Sequence, residues 1–294
     1  MGPARRLAPL NLSNNMDSTK KSILITGCST GIGRCVAEGL RDRGWRVFAT
    51  ARKMADVDIL RQQGFESCQI DLAESSSIND GLQWILEQTG GSLDALFNNG
   101  AYGQPGALED LPRQALQEQF ETNVFGTHEL TQLVLPVMRR QGYGRVVQNS
   151  SILGFVAMPL RGAYVASKFA LAGLTEAMRI EMLGSGIDFI LIEPGPIKTP
   201  FRINARKAFL KYVNPEESLH RERYQAWAKQ AAEGERVDPA FTLPAEAVLE
   251  KVIKALESRR PKARYGVTIP THVFWILRCL LPRRWLDLLL AKAA

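Results

Sequence analysis

The feature that most constrains this chain is a short apolar run that ends in a glycine-rich turn and continues into an amphipathic helix. Residues 22–26 are apolar enough to form a buried strand. Glycines then follow in the pattern G-x-x-x-G-x-G, at Gly27, Gly31 and Gly33. From residue 31 to residue 43, apolar side chains recur with helical spacing. A strand that passes through glycines into a helix predicts the first unit of a parallel α/β sheet.

The same alternation continues along the chain. Further strands are predicted at residues 46–50, 65–70, 93–97, 145–149, 188–193 and 264–267, with helices between them, the longest at residues 112–140. Nearly continuous apolar strands separated by helices predict a parallel sheet that is covered on both faces. We therefore expect one doubly wound, Rossmann-type α/β domain over residues 21–268. Residues 1–20 lack an apolar run, so we expect a disordered extension without a secretory signal.

Composition excludes several classes of function. The net charge is +7, but the basic residues are scattered and no nucleic-acid-binding motif accompanies them, so we expect no nucleic-acid partner. The four cysteines form no C-x-x-C pair and the three histidines lie far apart, which argues against a metal site and a disulfide framework. We expect buried free thiols in a reducing compartment, the cytoplasm.

The glycine-rich turn is typical of a dinucleotide site. Glycines let the backbone approach a pyrophosphate, and a helix N-terminus supplies N–H donors and a favourable dipole. The residues expected to bind there are Gly27, Ser29, Thr30, Gly31, Ile32 and Gly33.

The end of the second strand indicates which dinucleotide binds. An NAD enzyme usually places an acid there for the ribose hydroxyls, whereas this chain has Arg52 followed by Lys53. A guanidinium can bind a 2′-phosphate through two hydrogen bonds, so we expect NADP. After the third strand, Asp71 and Leu72 are placed to contact the adenine, although a helix-capping turn explains the pair equally well.

Tyr164 and Lys168 are the candidate reaction centre. They stand four residues apart on a predicted helix and therefore share a face. A phenol titrates near pH ~10, and a nearby ammonium lowers that pKa toward neutrality. Ser151 ends the preceding strand, where its hydroxyl can bond a substrate carbonyl oxygen. Asn123, in the long predicted helix, can hold a water that links Lys168 to solvent.

Together these motifs make the chain resemble the short-chain dehydrogenase/reductase family. The resemblance covers nearly all of residues 21–264. The matching motifs are T-G-x-x-x-G-I-G at residues 26–33, Asp71-Leu72, Asn98-Asn99, Asn123, Ser151, Y-x-x-x-K at residues 164–168, and Pro194-Gly195 with Thr199. The chain is most similar to the subgroup that contains bacterial NADP-dependent aldehyde reductases, retinol dehydrogenases and hydroxysteroid dehydrogenases.

The resemblance implies a role for each site residue. Tyr164 would donate a proton to the carbonyl oxygen, and Ser151 would orient and polarise that oxygen. Lys168 would lower the pKa of Tyr164 and bind the nicotinamide ribose, and Asn123 would complete the proton relay. Asn99 would lie in the loop that backs the cofactor. The residues expected around the nicotinamide, which delivers hydride, are Pro194, Gly195, Ile197 and Thr199.

One loop departs from the family pattern. Asn98-Asn99-Gly100-Ala101 stands where the family usually has N-N-A-G. Ala101 is less able than glycine to adopt a positive φ, so the local geometry of this loop is in question.

The remaining segments bear on substrate and assembly. An apolar stretch at residues 152–160 and a predicted lid at residues 201–243 favour a small lipophilic carbonyl. The resemblance favours an aldehyde and leaves retinal-like compounds and ketosteroids open. It also implies a homodimer or homotetramer, paired through the helices near Asn123 and Tyr164. The tail at residues 269–294 is apolar and basic, too broken to span a bilayer. It is either a peripheral membrane contact or a segment folded over the pocket or against a second subunit.

Two other classes of protein fit less well. A non-catalytic dinucleotide sensor predicts a damaged reaction centre, whereas Asn123, Ser151, Tyr164 and Lys168 are all present. A nucleotide-sugar epimerase or dehydratase typically has a T-G-x-x-G-x-x-G loop and a larger C-terminal domain, and this chain has neither.

Overall fold

The computed structural model describes residues 20–234 and 240–292. Within them, six parallel strands form one sheet in the order β2-β1-β3-β4-β5-β6. The strands are β1 (Ser22–Ile25), β2 (Arg46–Ala49), β3 (Ala95–Asn98), β4 (Gly144–Asn149), β5 (Ile187–Glu193) and β6 (Arg264–Gly266). The order reverses direction at β1 and β3, which confirms the doubly wound, Rossmann-type fold in a single domain. The carboxyl ends of β1, β3, β4 and β5 therefore meet at one edge of the sheet.

Eleven α-helices accompany the strands in the described residues. They are α1 (Gly31–Asp42), α2 (Met54–Gln62), α3 (Ser75–Thr89), α4 (Arg113–Phe120), α5 (Gly126–Gln141), α6 (Gly162–Glu181), α7 (Phe201–Tyr212), α8 (Arg221–Gly234), α9 (Glu246–Glu257), α10 (Ile269–Leu280) and α11 (Arg283–Lys292). The long helix predicted at residues 112–140 is α4 and α5, joined by a π-helical turn at Glu121–Phe125. Pro136 lies inside α5 without ending it.

The prediction of a strand at residues 65–70 is wrong. That segment makes only isolated bridges to the β2 region, between Phe48 and Glu66 and between Ala51 and Gln69. Two backbone hydrogen bonds join it to the β2 region, one from Ala49 N to Glu66 O and one from Ile70 N to Ala51 O. The apolar pattern was correct, because Phe65 and Ile70 are buried. The segment lies at the sheet edge, where pairing on one side alone does not hold it in continuous register.

The hydrophobic core lies on both faces of the sheet. Helices α1, α2 and α9 cover one face, where α1 buries Val36, Ala37 and Leu40. Helices α3 and α5 cover the other face, where α5 buries Leu130 and Val134. Each helix therefore turns its apolar stripe inward, as the spacing predicts.

The lid and the tail form two smaller apolar clusters beside the sheet. Phe209 of α7 and Tyr224 of α8 pack together in the first cluster. In the second, Leu286 and Leu290 of α11 pack against Leu153, in the turn that follows Ser151. No helix in the described part of the chain meets the length and hydropathy required to cross a membrane.

Candidate active site

The glycine loop after β1 is held by backbone contacts that leave no room for side chains. Gly27 and Gly31 adopt φ values of +71° and +61°, which glycine reaches without strain. A Cβ at Gly33 would lie 2.3 Å from Gly27 O. A Cβ at Gly31 would lie 3.1 Å from Thr199 Cβ, so the loop after β5 closes against the glycine loop. Two loops that the sequence assigns to the cofactor are thus adjacent in space.

The N-terminus of α1 matches a pyrophosphate. Its N-cap, Thr30, makes no side-chain hydrogen bond to the helix, and the first turn carries no acidic residue. The first N–H groups of α1 consequently keep their hydrogen-bonding capacity for a ligand, in the positive field of the helix end. These residues fit the diphosphate of a dinucleotide.

Asn99 joins the glycine loop to the neighbouring strands. Its Nδ2 donates to Thr26 O at 3.0 Å and to Gly27 O at 3.2 Å. Its Oδ1 accepts from Asn149 Nδ2 at 2.9 Å. The unusual loop that follows is not strained, because Ala101 does not adopt a positive φ. Gly100 instead provides close packing, since a Cβ there would lie 3.0 Å from Leu72 Cδ1.

The residues predicted at the adenosine end of the cofactor lie at the edge of the sheet where the carboxyl ends of the strands meet. Arg52 is exposed just beyond β2, with no ion pair to any described residue. Asp71 makes a turn before α3, where its Oδ1 accepts from Ala73 N at 3.1 Å and its N–H donates to Ser77 Oγ at 2.9 Å. Leu72 is buried beside Gly100. The turn-forming role of Asp71 is therefore visible, and adenine contact stays a prediction.

Ser151, Tyr164 and Lys168 are brought together at the ends of β4 and the first turns of α6. Ser151 Oγ accepts from Leu153 N at 3.0 Å and also hydrogen-bonds the Tyr164 phenol. Lys168 is buried, and its Nζ lies 5.7 Å from the centre of the Tyr164 ring. That Nζ donates to Asn149 O at 2.6 Å, a contact that the sequence did not predict. The Ser151 hydroxyl, the Tyr164 phenol and the Lys168 ammonium thus lie in one neighbourhood.

The electrostatics of the polypeptide alone differ from the expected pattern. Burial raises the pKa of Tyr164 to about 12, and the Ser151 hydrogen bond and the Arg161 charge only partly oppose it. Burial lowers the pKa of Lys168 to about 7. Because the Lys168 amine, with its lowered pKa, has lost its proton before the phenol titrates, it does not lower the phenol pKa here. A lowered Tyr164 pKa therefore stays a prediction for the cofactor complex.

Asn123 is buried in the π-helical turn between α4 and α5. Its Oδ1 accepts from Tyr102 N at 3.1 Å, and its Nδ2 donates to Tyr102 O at 2.9 Å and to Ser167 Oγ at 3.1 Å. These bonds connect the loop after β3 to α6, next to Lys168. A π-helical turn often marks a functional site, and here it aims Asn123 inward. Its part in a proton relay stays a prediction.

The loop after β5 carries the residues expected around the nicotinamide. Pro194 O accepts from Ile152 N at 2.8 Å, which fixes this loop beside Ser151. A Cβ at Gly195 would lie 2.1 Å from Thr268 Oγ1, so only glycine fits. Ile197 forms a bridge to Leu243, at the end of the predicted lid, and Thr199 lies against Gly31.

Two further features of the site were missed at the sequence level. The Phe201 ring packs on Tyr164 with 5.5 Å between ring centres. Glu193, at the end of β5, is fully buried and accepts from Trp275 Nε1 at 3.1 Å and from Arg264 at 2.6 Å. Glu193 thereby attaches the tail to the sheet edge. Neither contact has a sequence signal, because the partners lie far apart in the chain.

A cavity of about 610 Å³ lies between α6 and α11. Its lining includes Met158, Val165, Phe169 and Leu290, but not Tyr164. Val165 and Phe169 occupy a different face of α6 from the reaction centre. The cavity is therefore separate from the cluster around Ser151.

Comparison with known proteins agrees with this geometry. A family model described as short chain dehydrogenase matches residues 21–209. An uncharacterized oxidoreductase, YbbO, of Escherichia coli is 40% identical over 92% of this chain and 94% of its own length. An NADPH-dependent 3-dehydrocapnine reductase of Ornithobacterium rhinotracheale is 30% identical over 92% and 95%.

Solved structures give the same result. A short-chain dehydrogenase from Streptomyces avermitilis superposes with a TM-score of 0.77 at 28% identity, covering 90% of this chain and 94% of its own. Among relatives compared by sequence, human retinol dehydrogenase 8 is 31% identical over 86% of this chain and 83% of its own length. The fold, the glycine loop and these relatives together show that the chain is an oxidoreductase of the short-chain dehydrogenase/reductase family, whose members bind a nicotinamide dinucleotide.

Proposed function

We propose that this enzyme uses NADPH to reduce a small lipophilic carbonyl compound, most readily an aldehyde. The observation that carries the proposal is the convergence of Ser151, Tyr164 and Lys168 beside the glycine loop. Asn123 reaches the same region through Ser167 and the loop after β3. The proximity of the groups that the resemblance requires supports the proposal.

The proposed chemistry is a general-acid-assisted reduction. When bound, a reduced nicotinamide supplies the hydride that the carbonyl carbon accepts. Ser151 donates a hydrogen bond to the carbonyl oxygen, and Tyr164 gives that oxygen its phenolic proton. Lys168 then stabilises the phenolate and, with Asn123, returns a proton from solvent. One hydride and one proton convert the carbonyl to an alcohol.

NADP is proposed as the cofactor because of the charge beyond β2. Arg52 is exposed there and has no acidic partner among the described residues, so its guanidinium is available to a 2′-phosphate. The 3-dehydrocapnine reductase that resembles this chain is named as NADPH-dependent. A structure of a more distant relative holds NAD, so the same fold also accepts the dinucleotide without the 2′-phosphate.

The lid supports a lipophilic substrate. Phe201 covers Tyr164, and Phe209 and Tyr224 pack edge-on with 5.0 Å between ring centres. Tyr224 Oη accepts from Ala107 N at 2.8 Å and hydrogen-bonds Asp110, which fastens α8 over the loop after β3. An apolar cover with few polar groups favours an apolar chain on the substrate.

The test is NADPH oxidation with aldehydes of graded length, all-trans-retinal and a ketosteroid. We expect kcat/KM to rise with aldehyde length and to exceed that for retinal and steroid. NADH should support markedly slower turnover. Preference for NADH would contradict the cofactor assignment. A higher kcat/KM for retinal or the steroid would contradict the aldehyde assignment and make that compound's class the proposed substrate. Absence of NADPH oxidation with every compound would contradict the reductase proposal.

A homodimer or homotetramer is proposed through the helices near Asn123 and Tyr164. Phe125 precedes α5 and is 54% exposed, and Ile180 of α6 is 64% exposed. Phe169 and Leu174 add two further exposed apolar side chains on α6. Light scattering after size exclusion should give twice or four times the chain mass. A monomer at micromolar concentration would contradict this assembly.

The outer surface of the tail is proposed as a peripheral membrane contact of a cytoplasmic enzyme. The exposed apolar side chains of α10 are Ile269, Val273, Ile276 and Leu280, spaced 4, 3 and 4 residues apart on one face, and Trp285, Leu288 and Leu289 continue the surface on α11. Arg278, Arg283 and Arg284 flank them, as expected for contact with anionic headgroups. The inner face of α11 packs on Leu153, so one tail can both cover the site and contact a bilayer.

Flotation with vesicles tests the tail. We expect binding to vesicles containing anionic phosphatidylglycerol and weaker binding to neutral phosphatidylcholine vesicles. The double variant Ile276→Asp and Leu280→Asp should stop binding, whereas the matched Leu183→Asp variant, exposed beyond α6, should not. Wild-type protein that stays unbound at low salt would contradict the membrane contact.

A further inference from the structure

Arg161 is a cation beside the reaction centre that has no acidic partner in the part of the chain that the structure describes. It is the N-cap residue of α6, three positions before Tyr164, and its side chain is half-buried. Within the described residues, its hydrogen-bond contact is Met158 Sδ at 3.8 Å, a weak acceptor. Arg161 forms no ion pair with the described residues. The charged side chain that shifts the pKa of its guanidinium is another cation, Arg202.

This arrangement is unfavourable for the polypeptide alone. A guanidinium that loses hydration normally gains a carboxylate or several carbonyl partners in return. Here burial lowers the pKa of Arg161, and the Arg202 charge lowers it further. The ion pairs elsewhere in the described chain show the usual pattern, as in Arg264, which contacts both Glu193 and Glu176. Among the described residues, Arg161 therefore carries its charge without a counter-ion.

The backbone holds Arg161 in this position at a cost. Leu160, the residue before it, adopts a φ of +60°, a conformation that branched side chains rarely take. Leu160 O accepts from Gly106 N at 2.9 Å, and Gly106 forms a bridge with Arg161. The strained turn is thus tied to the loop after β3, and it fixes where α6 and Arg161 begin.

Arg161 faces the same region as the reacting groups. Arg161 stands at the start of the helix that carries Tyr164 three positions later, a spacing that puts two side chains on one helix face, and its charge lowers the phenol pKa. Phe201 packs on Tyr164, and Arg202 follows it at the start of α7. Arg161 at the start of α6 and Arg202 at the start of α7 are therefore close in the chain to the packed rings of Tyr164 and Phe201.

We propose that the substrate carries a carboxylate close to its reacting carbonyl and that Arg161 binds this carboxylate. The inference rests on the proposed function and specifies its substrate class as an amphiphilic oxo acid, with an apolar chain under the lid. The guanidinium binds the carboxylate in a planar, two-bond geometry, and the exposed Arg202 adds attraction at the rim. A neutral analogue leaves Arg161 unpaired, which is a strong basis for discrimination.

The probes are 4-oxononanoate and its methyl ester, which differ in the negative charge. We expect NADPH-dependent kcat/KM of the wild-type enzyme to favour the acid over the ester by about tenfold or more. Arg161→Gln should bring the ratio of acid to ester close to one, and Arg161→Lys should retain part of the preference. The ratio separates carboxylate binding from any effect of Arg161 on Tyr164, which acts on both probes. The matched control Arg206→Gln, on the exposed side of α7, should keep the wild-type ratio.

Binding is measured separately by calorimetry with NADP⁺ present. We expect the wild-type enzyme to bind the acid more tightly than the ester, and Arg161→Gln to lose that difference. An equal affinity for acid and ester in the wild type, or an unchanged preference in Arg161→Gln, would overturn the inference. If Arg161-dependent binding of the acid is found but neither probe nor nonanal oxidises NADPH, the inference holds and the proposed reduction fails.

Discussion

The cofactor end and the substrate end of the active site are built from different kinds of packing contact. At the cofactor end, backbone packs on backbone, and a Cβ at Gly33 would lie 2.3 Å from Gly27 O. At the substrate end, side chains meet side chains, as Phe201 meets Tyr164 and Phe209 meets Tyr224. The first end therefore tolerates almost no added atom, whereas the second can change its lining without disturbing the sheet. The cofactor end therefore determines that a dinucleotide binds, and the substrate end determines which substrate the enzyme accepts.

The largest effect should come from adding one methyl group at the cofactor end. Gly33→Ala places a Cβ against Gly27 O and Asn99 Nδ2, so the glycine loop must move. We expect NADPH affinity to fall by about 100-fold or more, since a shift of the loop removes several donors at once. Fluorescence titration of NADPH measures this loss.

Gly173→Ala is the matched control, because this glycine lies in α6 with no atom within 4 Å of a built Cβ. It should leave NADPH affinity unchanged and stabilise the fold by about 0.5–1 kcal/mol. Equal losses of NADPH affinity in the two variants would contradict the claim that the glycine loop is packed more tightly than the remainder of the fold.

A smaller effect should appear where the two ends meet, at Lys168. Burial lowers its pKa in the folded chain to about 7, from the ordinary lysine value of 10.5. Below pH 7 both states are protonated and the fold bears the full cost of a buried ammonium. Between pH 7 and 10.5 the unfolded chain binds more protons, so this cost falls and stability rises with pH.

Lys168→Met removes that dependence. The unfolding free energy of the variant minus that of the wild type should be about 2 kcal/mol higher at pH 6 than at pH 9. Urea denaturation of the cofactor-free protein at the two pH values measures the difference. The exposed Lys254→Met on α9 should show no such gain. A difference that is equal at both pH values would contradict the buried ammonium.

The smallest effect should be at Arg52, which is exposed and contacts only the cofactor phosphate in our proposal. Arg52→Gln should raise the KM for NADPH by about tenfold, the scale of one charge-assisted contact, and leave the KM for NADH unchanged. Steady-state kinetics with both nicotinamides measure the change. Equal changes in the two KM values would indicate that Arg52 supports the loop rather than the phosphate.

The sequence allowed the cofactor end to be predicted better than the substrate end. Strand patterns, glycine spacing and helical periodicity are local signals, so β1, α1 and the helix that carries Tyr164 and Lys168 were predicted correctly as elements. The edge segment at residues 65–70 failed because burial alone does not distinguish a paired strand from an extended one. The π-helical turn, Phe201 over Tyr164, and the unpaired Arg161 depend on contacts between distant segments, which periodicity does not report.

The most direct test of the account is the Tyr164→Phe variant, which keeps the ring against Phe201 and removes the hydroxyl. Single-turnover NADPH oxidation is measured with a medium-chain aldehyde, together with the Kd for NADPH. We predict a loss of at least about 100-fold in rate, the typical contribution of a positioned general acid, with NADPH affinity unchanged. Near-normal reduction by Tyr164→Phe would contradict the assignment of Tyr164 as the proton donor.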